Sequence, residues 1–79
     1  MSSLSDAIGL LEAGDLQAAH RMVQNDDSRY GAWVHGIVHS LEGDTVTAAY
    51  WWGRAGRRLP SANQIPGEVA ELKVLLGLL

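Results

Sequence analysis

Three residues near the middle of the chain have the types and the spacing of metal ligands. His35 and His39 lie four residues apart, and Glu42 follows His39 by three. Residues three or four apart share one side of a helix, so these side chains would project together. Imidazole and carboxylate groups are ordinary zinc ligands. The glutamate that directly follows the first histidine in zinc protease motifs is lacking here, so this trio predicts at most a non-protease site.

The alternative interpretation is structural. Two histidines rarely suffice to hold a metal, so we favour a partly buried pair that is hydrogen-bonded to Glu42 or to a neighbouring helix. The third histidine, His20, is predicted to lie on another helix, and its position in the sequence does not direct it toward His35 and His39. We therefore expect no metal and no other cofactor, and we expect that acidification toward pH ~5 loosens this part of the fold.

Three arginines form a second group that could bind a ligand. Arg54, Arg57 and Arg58 follow Tyr50 on a predicted helix. Together they could clamp a carboxylate or phosphate, because guanidinium groups match these anions with paired hydrogen bonds. We favour a simpler interpretation, in which they occupy the last helical turn and stabilise its negative end by about 0.3–1 kcal/mol. An acidic partner peptide is the weaker functional alternative.

The composition excludes several classes of protein. A net charge of −3 argues against a nucleic-acid ligand, which requires a basic surface. No stretch approaches the ~18 apolar residues that a membrane span needs. The chain has no cysteine, and neither a phosphate loop nor a nucleophile beside a plausible base occurs. We therefore expect a cytoplasmic, non-catalytic protein that binds neither nucleic acid nor membrane.

A repeated signal sets the predicted architecture. The segments 11–15 and 41–44 both read as the end of a helix, a Gly-Asp turn and the capped start of a second helix. They predict two antiparallel helical hairpins, at about 3–25 and about 28–59. Pro60 ends the second hairpin, and Pro66 suits the first turn of a capping helix at about 66–79. We expect one all-α domain over residues 1–79.

The second hairpin resembles the tetratricopeptide repeat. The resemblance is carried, at matching spacings, by Gly36, Gly43, Ala48, Trp52, Ala55 and Pro60. The first hairpin matches through Gly14, Ala19 and Val23. The family's usual leucine and tyrosine fall on His35 and His39, which implies that both histidines lie where the helices of the hairpin pack. The resemblance also implies a protein-interaction module.

Stacked helical hairpins bind partners on the concave side that their first helices form. We therefore expect a protein or peptide partner on helix three, at Tyr30, Trp33, Val34, Ile37 and Ser40. The leucine-rich C-terminal helix either covers helices three and four or forms a homodimer contact. The alternative function is metal or small-ligand binding by His35, His39 and Glu42.

Overall fold

The computed structural model of the protein describes residues 3–78, and this part of the chain is helical without any β-strand. The helices are α1 (Ser3–Glu12), α2 (Leu16–Val23), α3 (Arg29–Leu41), α4 (Thr45–Arg54) and α5 (Ile65–Leu75). A short 3₁₀ helix, Ala62–Gln64, precedes α5. The predicted all-α class is confirmed. Within residues 3–78 each helix is too short or too polar to cross a lipid bilayer.

One Gly-Asp turn joins α1 to α2, and a second joins α3 to α4. Gly14 and Gly43 have φ angles of +84° and +82°, a left-handed conformation that glycine adopts at little cost. Asp15 and Asp44 then cap the next helix, and each carboxylate accepts a hydrogen bond from the amide three residues later, at 3.1 and 3.2 Å. Helix α1 packs on α2, and α3 packs on α4. Both predicted turns are therefore confirmed.

The closest packing joins α3 to α4. Trp52 is fully buried, and its indole lies against Gly36, where an added Cβ atom would be only 2.9 Å from Nε1. That nitrogen donates a hydrogen bond to Oγ of Ser40 at 3.0 Å. Ala48 on α4 and Ala55, which caps the end of this helix, are also buried. Small residues thus allow the two helices to approach with the indole between them, as the sequence predicts.

Helix α4 ends earlier than predicted. It stops at Arg54 because Gly56 takes a φ of +74° and closes the helix. The amide of Arg57 then donates to the carbonyl of Trp52 at 3.0 Å, which is the pattern of a glycine-terminated helix. Arg57 and Arg58 therefore follow the helix, and the prediction that they lie in its last turn is wrong.

Helix α5 is held on the outside of α3. Its buried residues are Ile65 and Leu72. An ion pair at 2.9 Å joins Lys73 to Glu12 of α1. The helix ends at Leu75 rather than near residue 79, and another glycine with positive φ, at position 77, follows this end. The last predicted position, residue 79, lies outside the described residues.

Candidate metal centre

The fold brings all three histidines of the chain together. Nε2 of His20, on α2, and Nε2 of His35, on α3, share a hydrogen bond of 2.9 Å. Each of His20, His35 and His39 offers one ring nitrogen to a common site, and these three nitrogens lie within 4.8 Å of one another. Helix α2 packs against α3, and His35 and His39 are one helical turn apart. We refer to these three residues as the histidine cluster.

The place of His20 beside His35 and His39 does not follow from the sequence, because its neighbours in space come from another helix. One local signal was available. His20 precedes Val23, a fully buried residue of α2, by three positions, which places both on one face of that helix. A histidine on the core-facing side of α2 must meet whichever helix packs there. Which helix packs there depends on the tertiary structure and cannot be predicted from local periodicity.

His35 is the innermost member of the cluster. Its ring stacks on the indole of Trp51, with centroids 3.7 Å apart and planes inclined by 5°. The ring of His20 meets it edge-on at 4.6 Å, and the ring of His39 lies nearly parallel to it at 5.2 Å. Only 3% of the surface of His35 is exposed. These contacts fix the position of its ring before any ligand arrives.

Burial keeps His35 neutral. Desolvation, with smaller coulombic contributions from His20 and His39, lowers the pKa of this histidine to about 4. A neutral imidazole is the form that binds a metal ion. Nδ1 of His35 and Nδ1 of His39 are both buried without a hydrogen-bond partner among residues 3–78. Nδ1 of His35 is therefore a ring nitrogen whose bonding capacity is not used within residues 3–78, whereas Nδ1 of His39 faces Glu42.

Glu42 lies beside the cluster. Its Oε1 is 3.0 Å from Nδ1 of His39, at a distance suited to an ion pair but without the direction of a hydrogen bond. A carboxylate at this place is the usual outer partner of a metal-bound imidazole, which it orients through the second ring nitrogen. The predicted trio of His35, His39 and Glu42 is thus close in space, and His20 is the third imidazole that the prediction lacked.

A cavity of about 280 Å³ connects the cluster with solvent. The residues that line it are Gln17, His20, Arg21, His39 and Glu42. His35 lies beneath this surface. A small ion can therefore reach His20 and His39 from this cavity, while the ring of Trp51 covers one face of His35.

The structure buries three of the five residues that are predicted to bind a partner on α3. Trp33 is 4% exposed, and Val34 and Ile37 are fully buried. Ser40 is half-buried and accepts a hydrogen bond from an indole, so Tyr30 alone keeps substantial exposure. The reason is that α3 packs against α1, α2, α4 and α5 and is the central helix of the molecule. Partner binding by this helix stays a prediction, and Tyr30 is the most exposed of its five residues.

The three arginines do not form a single anion clamp. Nε of Arg57 donates to Oε1 of Glu68 at 2.9 Å, and its guanidinium also bonds Glu71 and lies 3.9 Å from the centroid of the Trp33 ring. These two carboxylates raise the pKa of Arg57 further. Arg54 bonds the hydroxyl of Tyr50 at 3.2 Å. A cavity of about 830 Å³ borders Arg57, but Arg57, Glu68 and Glu71 in its wall are already paired with one another.

Comparison with known proteins adds no relative: no family model, no curated protein and no solved structure is significantly similar to this chain.

Proposed function

We propose that the protein binds a divalent transition-metal ion, with zinc as the first probe, at His20, His35 and His39. The proposal rests on one observation, the three imidazoles from two helices whose donor nitrogens lie within 4.8 Å. Three histidines are a sufficient protein ligand set for zinc. The absence of cysteine fits a site made only of nitrogen donors.

The distances within the cluster are close to those that zinc requires. With Zn–N bonds of about 2.0–2.1 Å, ligand nitrogens at tetrahedral angles lie about 3.4 Å apart. The two Nε2 atoms of His20 and His35 are somewhat closer, at 2.9 Å, and the widest separation in the cluster is 4.8 Å. Small rotations of the half-buried His20 and His39 bridge these differences, while stacking on Trp51 holds His35 in place.

The proposal is tested by metal titration of the metal-free protein. Isothermal calorimetry with Zn²⁺ should give one site per chain, and His20→Ala and His39→Ala should each weaken binding at least about tenfold, because a bound imidazole is lost. Arg58→Gln is the matched control, since Arg58 is exposed and forms no ion pair with residues 3–78. A series with Cu²⁺, Ni²⁺ and Co²⁺ then identifies the preferred ion.

The proposal fails if wild-type protein binds no metal. It also fails if the histidine variants bind as the control does, because the ion then lies elsewhere. Circular dichroism of each variant separates loss of the site from loss of the fold.

A second candidate function is a non-catalytic, tetratricopeptide-like interaction module, and one observation favours it. Val74 and Leu75 on α5 are 61% and 52% exposed, although both are large and apolar. We propose self-association through this helix as its simplest form, in the cytoplasm, since a chain without cysteine needs no oxidising compartment. Sedimentation at two concentrations should show a dimer that Leu75→Glu dissociates. A monomer mass at both concentrations would contradict it.

A further inference from the structure

Three protein ligands leave a zinc ion with one open position. Zinc prefers four ligands, and sites with three protein ligands complete the set with water or with a ligand from solution. Among residues 3–78, no fourth histidine, aspartate or glutamate joins the cluster at comparable distance. The nearest carboxylate, Glu42, is directed at His39. The open position therefore belongs to the side on which the cavity meets solvent.

Arg21, whose guanidinium group is positively charged, lines that cavity. Gln17, His20 and Arg21 are three and four residues apart, so they share one face of α2. Arg21 forms no ion pair or hydrogen bond with any residue in the described range 3–78. Its guanidinium offers several N–H donors in a plane that matches the oxygens of a carboxylate or phosphate. The amide of Gln17, which also lines the cavity, adds a neutral donor.

The charge of the loaded cavity favours an anion. Glu42 contributes one negative charge to the lining, and Arg21 contributes one positive charge. A divalent ion on three neutral imidazoles adds two more positive charges, which Glu42 cannot balance. A cavity of about 280 Å³ corresponds to about nine water molecules at liquid density, enough for an ion of a few heavy atoms.

We propose that the metal-loaded cavity binds a small oxyanion, with one oxygen on the metal and another on Arg21. The inference rests on the proposed metal site. It assigns the open coordination position to a phosphate or a small carboxylate rather than to a protein side chain. Arg21 is then a binding residue that sets the preference for anions, and Glu42 limits how much negative charge the cavity accepts.

Cobalt-loaded protein provides the test, because the visible absorption of Co²⁺ reports changes in its ligands. Loading is first followed by the appearance of the tetrahedral Co²⁺ bands, and inorganic phosphate or acetate is then titrated at constant ionic strength. Wild type should show a saturable change in the bands. Arg21→Gln should bind Co²⁺ as wild type does but weaken the anion about tenfold, while Arg58→Gln should match wild type in both titrations.

The two proposals fail in different steps. If no Co²⁺ band appears, the metal site itself is wrong and the anion proposal falls with it. If Co²⁺ binds but neither anion changes the bands, or if Arg21→Gln binds the anion as tightly as the control, the metal site stands and the anion proposal is overturned. Comparing phosphate with acetate shows which oxyanion the cavity prefers.

Discussion

His35 differs from an exposed histidine in both its contacts and its charge state. It is stacked on Trp51, and burial lowers its pKa to about 4, whereas in the unfolded chain an ordinary value of about 6.5 applies. Between these two values the unfolded state binds more protons than the folded state. The free energy of unfolding must then rise with pH over this interval. The stabilisation is complete above pH ~6.5 and is lost as the pH falls toward 4.

We therefore expect metal-free protein to lose up to about 3 kcal/mol of its free energy of unfolding between pH 7 and pH 4 through His35. The groups that face His35 are His20 and His39, with Glu42 next to His39. Urea denaturation at several pH values measures the slope. His35→Gln, which cannot titrate, should flatten it between pH 4 and 6.5, and an equal slope in both proteins would contradict the assignment to His35.

At the scale of helices, the close approach of α3 and α4 depends on one missing side chain. An alanine at Gly36 would place its Cβ 2.9–3.0 Å from three atoms of the Trp52 indole. The indole is rigid and fully buried, so either the ring or the helix must move. We expect Gly36→Ala to lower the free energy of unfolding by about 1–3 kcal/mol, measured by urea denaturation.

Gly9 supplies the matched control for this substitution. It lies inside α1, is exposed, and has no atom of another element within 4 Å of an added Cβ. Alanine favours a helix over glycine by up to about 1 kcal/mol, so Gly9→Ala should stabilise the protein. Opposite signs for the two substitutions are the expected result. If both substitutions stabilised the protein, α3 and α4 would have space for a side chain at position 36, and the prediction would be wrong.

The features that could be predicted from the sequence are those that depend only on residues close together in the chain. The Gly-Asp turns and the small residues facing Trp52 needed only neighbouring positions for their interpretation, and the structure confirms them. The end of α4 was missed because the apolar pattern continues to Leu59 and hides the stop at Gly56. The central place of α3 was also missed. A helix that is buried on all sides, as α3 is, has the same apolar pattern in its sequence as a helix with one broad apolar face.

The histidine cluster could be predicted only in part, because some of its contacts are local and others depend on the packing of helices. His35 and His39 are one turn apart, so their proximity follows from helical spacing alone. His20 joins them because α2 packs on α3, and that contact depends on the whole arrangement of helices. Trp51 and Arg21 likewise acquire their places beside the cluster and its cavity only through the fold.

At the scale of the whole molecule, a metal at the histidine cluster would join the first pair of helices to the second. His20 belongs to α2 and the other two ligands to α3, while a linker of five residues, 24–28, is the covalent connection between them. A chain of this size buries only about 60% of its unfolded surface, so its stability is marginal and a cross-link has a large effect. Ligand that binds only the folded state at 100 times its dissociation constant adds about 2.7 kcal/mol.

We therefore expect Zn²⁺ at such an excess to raise the melting temperature of the protein by at least about 10 °C, since 1 kcal/mol shifts a domain of 60–100 residues by roughly 4–8 °C. Differential scanning calorimetry with Zn²⁺ and with chelator measures the difference. In His20→Ala the shift at the same zinc concentration should fall to about half or less, because the ligand from α2 is absent and the remaining pair lies on α3 alone. A zinc-dependent shift of undiminished size in this variant would place the stabilising ion away from the junction of α2 and α3.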